Sequence, residues 1–182
     1  MPLTLKLNLN TALPIDLRNL SAAINEGLHS TKVAGLEIFV GNRATQVSDC
    51  FSVSGQCEQD RQLLLTGPLD RAHGIGRNLR CGSIVVNSNA GRHVGTNMSG
   101  GQITINGNAG DFVGAAMTGG EIRILGNAGD FVGAALAGAT YGMNRGQIVI
   151  TGDAGKGLGR RMRRGLIVVC GCVDRLAAWE ML

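Results

Sequence analysis

At 182 residues, 44% of them apolar and 16% charged, the chain can bury a core and carries too little charge to stay disordered. Aromatics at 3% and a formal charge of +4 argue against a nucleic-acid surface, which needs stacking platforms and a strong basic balance. The opening MPLTLKLNLN alternates apolar and polar residues, so it lacks the apolar region of a signal peptide, and no apolar run has the length of a membrane span.

Residues 1–60 are expected to form a capping region of strand, helix and strand. Leu3, Leu5, Leu7 and Leu9 alternate with polar neighbours, the period of a half-buried strand. Leu17, Leu20, Ile24 and Leu28 fall at helical spacing, and with Asp16 as N-cap and Gly27 near the end they predict a helix over about 17–27. Leu36 to Val40 reads as a further strand closed by Gly41-Asn42. A cap is needed because an open end of stacked strands exposes unpaired backbone.

From Gly82 the chain repeats every nineteen residues: GSIVVNSNAGRHVGTNMSG, GQITINGNAGDFVGAAMTG, GEIRILGNAGDFVGAALAG, then an inserted ATYGMNR, then GQIVITGDAGKGLGRRMRR and the start of another copy, GLIVVCGC. Leu63 to Cys81 is a degraded earlier copy, so the repeats run over 61–174. A fixed period near twenty is the signature of one structural unit stacked on its copies. Ile84, Ile103, Ile122, Ile148 and Ile167 share one column, and Val86, Ile105, Ile124, Ile150 and Val169 share the column two residues on, which predicts one inward-facing strand per copy in a parallel sheet. Gly76, Gly95, Gly114, Gly133 and Gly159 form a glycine column, expected where a Cβ would clash or φ must be positive. Leu79, Met98, Met117, Leu136 and Met162 are expected to fill the interior beyond it. Asn89, Asn108, Asn127 and Asp153, each followed by Ala-Gly, predict a ladder in which each side chain bonds the next copy. The expected architecture is all-β, a solenoid of five to six turns, with Val173 to Leu182 read as an amphipathic helix and 175–182 as a helical cap.

Candidate functional residues lie mainly at the two ends of the repeats. Lys156, Arg160, Arg161, Arg163 and Arg164 crowd the last full copy, and Arg71, Arg77 and Arg80 the first. Guanidinium groups suit an anionic ligand or an acidic protein surface. Alternation along an extended segment would send Arg160 and Met162 to one side and Arg161 and Arg163 to the other. The insertion Ala137 to Arg145, with the sole tyrosine Tyr141, is expected to project as a partner-contacting loop. His29, His73 and His93 do not coincide when the copies are aligned, since His73 falls with Arg92 and His93 with Gly74, so a metal pair is not expected. Cys50, Cys57, Cys81, Cys170 and Cys172 are odd in number and have no zinc-ligand spacing, which predicts free thiols and a cytoplasmic location. No nucleophile–base pair, phosphate-binding loop or paired carboxylates are visible.

The tandem units, together with Leu36–Asn42 (LEIFVGN), Phe51–Gly55 (FSVSG), His73–Gly76 (HGIG) and Tyr141–Gly146 (YGMNRG), resemble the C-type subunit of formylmethanofuran dehydrogenase and its bacterial relatives in the formyltransferase/hydrolase complex. The glutamate synthase C-terminal domain has similar repeats but lacks the LEIFVGN lead-in. The resemblance implies a right-handed parallel β-helix that holds the catalytic A-, B- and D-type subunits together, with no catalytic residue and no cofactor on this chain. It implies zinc or a molybdenum or tungsten pterin on other subunits, and a methanofuran-type carrier and tetrahydromethanopterin as carriers. Their anionic glutamate tails would give Arg160, Arg161, Arg163 and Arg164 a docking role. Arginine outweighs lysine, which favours the bacterial form.

Overall fold

The computed structural model describes residues 2–9, 11–55 and 61–181, and Cys57 lies outside them. The chain is mostly β. Strands β1 (Leu3–Leu7), β2 (Ile15–Asp16), β3 (Glu37–Val40), β4 (Arg43–Gln46) and β5 (Phe51–Ser54) precede the repeats, interspersed with three short helices, α1 (Ser21–Asn25), α2 (Ser30–Ala34) and α3 (Val47–Cys50). The repeats supply β6 (Gln62–Thr66), β7 (Ala72–His73), β8 (Ser83–Val86), β9 (Gln102–Ile105), β10 (Glu121–Ile124), β11 (Gln147–Ile150) and β12 (Leu166–Val169).

One mixed sheet of eight strands runs in the order β12-β11-β10-β9-β8-β6-β1-β5. From β6 to β12 all its pairings are parallel, and like sits beside like: Ile84, Ile103, Ile122, Ile148 and Ile167 are successive register partners. The strand of the opening region joins the repeats directly, because β1 pairs parallel with β6 and antiparallel with β5. A second sheet, β4-β3-β2-β7, is anchored by the parallel pairing of β2 with β7, which sets Asp16 beside His73.

Opposite the large sheet, single parallel bridges link Leu69, Ala90, Ala109, Ala128, Ala154 and Val173 in turn. The alanines of the Asn-Ala-Gly motif are buried there, while the asparagines make the expected ladder. Asn89 Oδ1 accepts from the Asn108 N–H at 2.9 Å, Asn108 Oδ1 from Asn127 N–H at 2.8 Å, Asn127 Oδ1 from Asp153 N–H at 2.9 Å, and Asp153 Oδ1 from Cys172 N–H at 2.7 Å. Each acceptor satisfies a backbone donor that has no strand partner at a turn. Asn108→Ala is expected to cost about 1 kcal/mol by stranding the Asn127 N–H, read as a lower urea midpoint with an unchanged slope.

Three expectations on local structure are corrected. The helix over 17–27 shrinks to α1, and its N-cap is Leu20. Asp16 is held in β2, where its carboxylate accepts from the Arg18 N–H and guanidinium instead. Leu17, Leu20 and Ile24 are buried as the spacing required, but a chain committed to pairing at 15–16 cannot begin a helix at 17. The interior column passes through Met143, which is fully buried, and not through Leu136. Met143 N–H donates to the Gly133 carbonyl and Asn144 N–H to that of Met117, so the extra residues are Leu136 to Gly142. Finally, the described part of 175–182 contains no helix. Asp174, Arg175, Ala178 and Trp179 exchange backbone hydrogen bonds with the preceding copy, through Ala154, Gly157, Leu158 and Arg161, and extend the stacking by a further partial turn. That last turn leaves Leu166, Val173, Leu176, Trp179 and Met181 exposed. Among the described residues no helix is long and apolar enough to cross a membrane.

Candidate functional site

Eleven positions into each copy the backbone must turn with positive φ, and His93, Phe112 and Phe131 occupy that position at φ 62°, 60° and 61°. Non-glycine residues pay for this conformation, and here ring stacking offsets part of the cost. His93 and Phe112 stack with centroids 5.0 Å apart, Phe112 and Phe131 with centroids 5.2 Å apart. Sequence reasoning aligned His93 with Gly74 but missed that the same column continues as Phe112 and Phe131. The residue one position earlier makes a second ladder. His73 Nδ1 accepts from Arg92 N–H at 2.9 Å, Asp111 Oδ1 from Asp130 N–H at 3.0 Å, and Asp130 Oδ1 from Lys156 N–H at 3.1 Å.

Three abutting cavities follow this column. The largest, about 550 Å³, lies between α1 and the first copy, with Arg18, Asn25, Arg77 and Arg80 in its wall. The second, about 230 Å³, shares Arg18 and Arg77 with it and adds Asp16, His73, His93, Thr96 and Leu136. The third, about 250 Å³, shares Leu136 and is lined by Phe112, Phe131, Arg160 and Arg161. The two basic ends recognised in sequence thus meet one side of the molecule, separated by aromatic rings.

The arginine run is divided. Arg160 and Arg161 both reach Glu180, at 3.5 and 2.7 Å, because φ of 55° at Arg161 breaks the expected alternation and brings the neighbouring side chains together. Hydrogen bonding from Arg161 holds the Glu180 carboxyl below the usual carboxylate range. The Arg160 guanidinium lies 5.0 Å from the Trp179 ring centre, while that of Arg163 lies 5.3 Å from the ring of Tyr141 in the inserted loop. Arg164 is exposed, Lys156 pairs with Asp130 at 3.5 Å, and Arg71 donates to the Ala12 carbonyl. The arginines at 160, 161, 163 and 164 therefore do not form one cluster. Cys170 and Cys172 are exposed free thiols, Cys50 is buried, and no group of three or more potential metal ligands is gathered among the described residues.

Burial lowers the pKa of His73, helped by the charge of Arg92, and burial lowers that of His93, helped by Arg77 and His73. Below the ordinary value of 6.5 the unfolded chain therefore binds more protons at these sites than the folded one. Their contribution is complete above that value and is lost as pH falls through it towards the depressed folded values. The melting temperature is expected to drop between about pH 7 and about pH 5.5, and His93→Phe, which continues the phenylalanine column, to flatten part of that drop. The Asp16 carboxyl also shifts down, by a different balance: burial raises it, but the hydrogen bonds and charge of Arg18 outweigh burial and hold it low, so its contribution too is lost as pH falls.

No protein-family model matches the chain. Over 79 residues it is 33% identical to the C-type subunit of the molybdenum-containing formylmethanofuran dehydrogenase 1 of Methanothermobacter marburgensis, a match spanning 43% of this chain and 20% of that protein. Its structure matches, with a TM-score of 0.84 and 35% identity, a chain of the formyltransferase/hydrolase complex (FhcABCD) from Methylorubrum extorquens in complex with methylofuran. That match covers 93% of this chain and 63% of the other, so the chain spans less than two thirds of the length of either relative. Both comparisons support the kinship carried by the repeats, to the C-type subunit of formylmethanofuran dehydrogenase and its counterparts in formyltransferase/hydrolase complexes.

Proposed function

We propose that this chain is a non-catalytic scaffold subunit of a formyltransferase/hydrolase complex in one-carbon metabolism, wound as a right-handed parallel β-helix and binding the hydrolase and transferase subunits. The observation that carries this reading is the structural match over 93% of the chain. In-register parallel pairing, the alanine bridges and the two side-chain ladders support the β-helix, because each copy then braces the next and gives a stiff frame. The exposed apolar side chains of the last turn support an assembly, since such clusters on a free surface usually mark contact sites. Arg160, Arg161, Arg163 and Arg164 would dock the anionic tail of a furan carrier or an acidic partner face, Arg163 and Arg164 being free of carboxylates among the described residues.

The test is reconstitution of the complex with and without this chain. Hydrolase and transferase subunits are expected to keep their separate half-reactions, while formyl transfer coupled to formate release falls when the chain is omitted. Coupling that is indifferent to the chain would reject the scaffold role. Serine at all four arginines should weaken carrier retention without preventing assembly, and unchanged retention would remove the docking role alone.

A further inference from the structure

The cavity of about 230 Å³ contains a set of donors that the fold leaves without acceptors. Thr96 is 1% exposed, and its Oγ1, which has no hydrogen-bond partner, is sealed behind the wall and out of reach of the cavity's contents. His73 uses Nδ1 to accept the Arg92 N–H, so its neutral ring carries the proton on Nε2, which remains a donor. Arg77 forms no ion pair among the described residues. Arg18 is neutralised by Asp16, so the formal charge of the lining is the single positive charge of Arg77. The insertion supplies the remaining wall: Leu136, which leaves the core column to Met143, closes this cavity with an apolar side chain beside the His93 ring.

We propose that this cavity is a binding site for a small free monocarboxylate with a short apolar tail. One oxygen edge pairs with Arg77 and accepts from His73, and the tail lies against Leu136 and His93. A planar two-oxygen anion matches a guanidinium fork. A dianion such as phosphate is disfavoured, because the lining offers only the one uncompensated positive charge of Arg77. The volume, equivalent to roughly eight waters at about 30 Å³ each, exceeds formate and admits a chain of a few carbons.

The test is calorimetric titration of the full chain with formate, butyrate and inorganic phosphate. Butyrate is expected to bind saturably, more tightly than formate and more tightly than phosphate. Arg77→Gln should weaken butyrate about ten-fold or more, while Thr96→Val, which changes only a hydroxyl sealed from the cavity, should leave butyrate affinity unchanged. Leu136→Ala should erase the preference for butyrate over formate. Absence of saturable butyrate binding, tighter binding of phosphate, or equal butyrate affinity in wild type and the Arg77→Gln variant would overturn the site. Butyrate binding to the free chain that vanishes in an assembled complex would also overturn it, assigning the donors to a carboxylate side chain of a partner. Because the main titration needs no companion subunit, its failure leaves the scaffold reading untouched.

Discussion

Gly114→Val is expected to destabilise the chain by about 4 kcal/mol, the sum of roughly 2 for a branched side chain at positive φ and roughly 2 for overpacking. Gly114 has φ of 61°, and a Cβ there would overlap Cδ1 of Ile148, which lies on the second strand downstream and is itself fully buried. The atom met first is the tip of the Ile148 side chain, which has little room to swing aside because Ile148 is fully buried and lies in register between Ile122 and Ile167. A melting temperature lower by about 12 °C is the expected reading, at about 3 °C per kcal/mol for a chain of this size. Gly138→Ala is the control. Gly138 also has positive φ, 80°, but nothing lies within 4 Å of where its Cβ would stand. It should lose only the conformational part, about 1 kcal/mol, and an equal loss at both positions would show that packing at the glycine column is unimportant.

Ile122→Ala is expected to cost about 3 kcal/mol, and Ile122→Val about 1. Ile122 is fully buried between Ile103 and Ile148 and approaches the backbone of Gly95, so its removal leaves a gap bounded by rungs on either side. Those rungs are pinned by backbone pairing and by the asparagine ladder, which prevents them from closing on the gap. Urea melts of both variants check the ratio. If alanine were as mild as valine, the interior would have to be looser than the register implies.

The strand and ladder positions were legible because each is repeated. A β-branched pair two residues apart has one meaning when it recurs at a fixed interval, and Asn108 could be assigned to a ladder because Asn89 and Asn127 stand at equivalent places. Legibility fails where a copy loses the markers. Leu176, Ala178 and Glu180 occupy the positions of Phe131, Gly133 and the left-handed residues Ala116 and Arg161, at φ 63°, 58° and 56°. None of them is glycine or asparagine, so the local pattern of apolar residues looked helical while stacking on Leu158 and Arg161 decided otherwise. The same competition settled the insertion. Leu136 and Met143 are both able to fill the interior column, and only the pairing of Asn144 with Met117 selects the second. The site was half visible: its charges could be read, but the buried Thr96 hydroxyl and the aromatic column depend on which rungs face one another.

The most direct measurement is native mass spectrometry of the assembly captured through a tag on this chain in its own cells. Companions of the A, B and D types are expected in fixed stoichiometry, among them a metal-dependent hydrolase chain and a formyltransferase chain, which separate when the last turn of the repeats is made polar at Leu176 and Trp179. Recovery of the chain by itself, or attached to a large flavin and iron–sulfur synthase, would contradict the scaffold role.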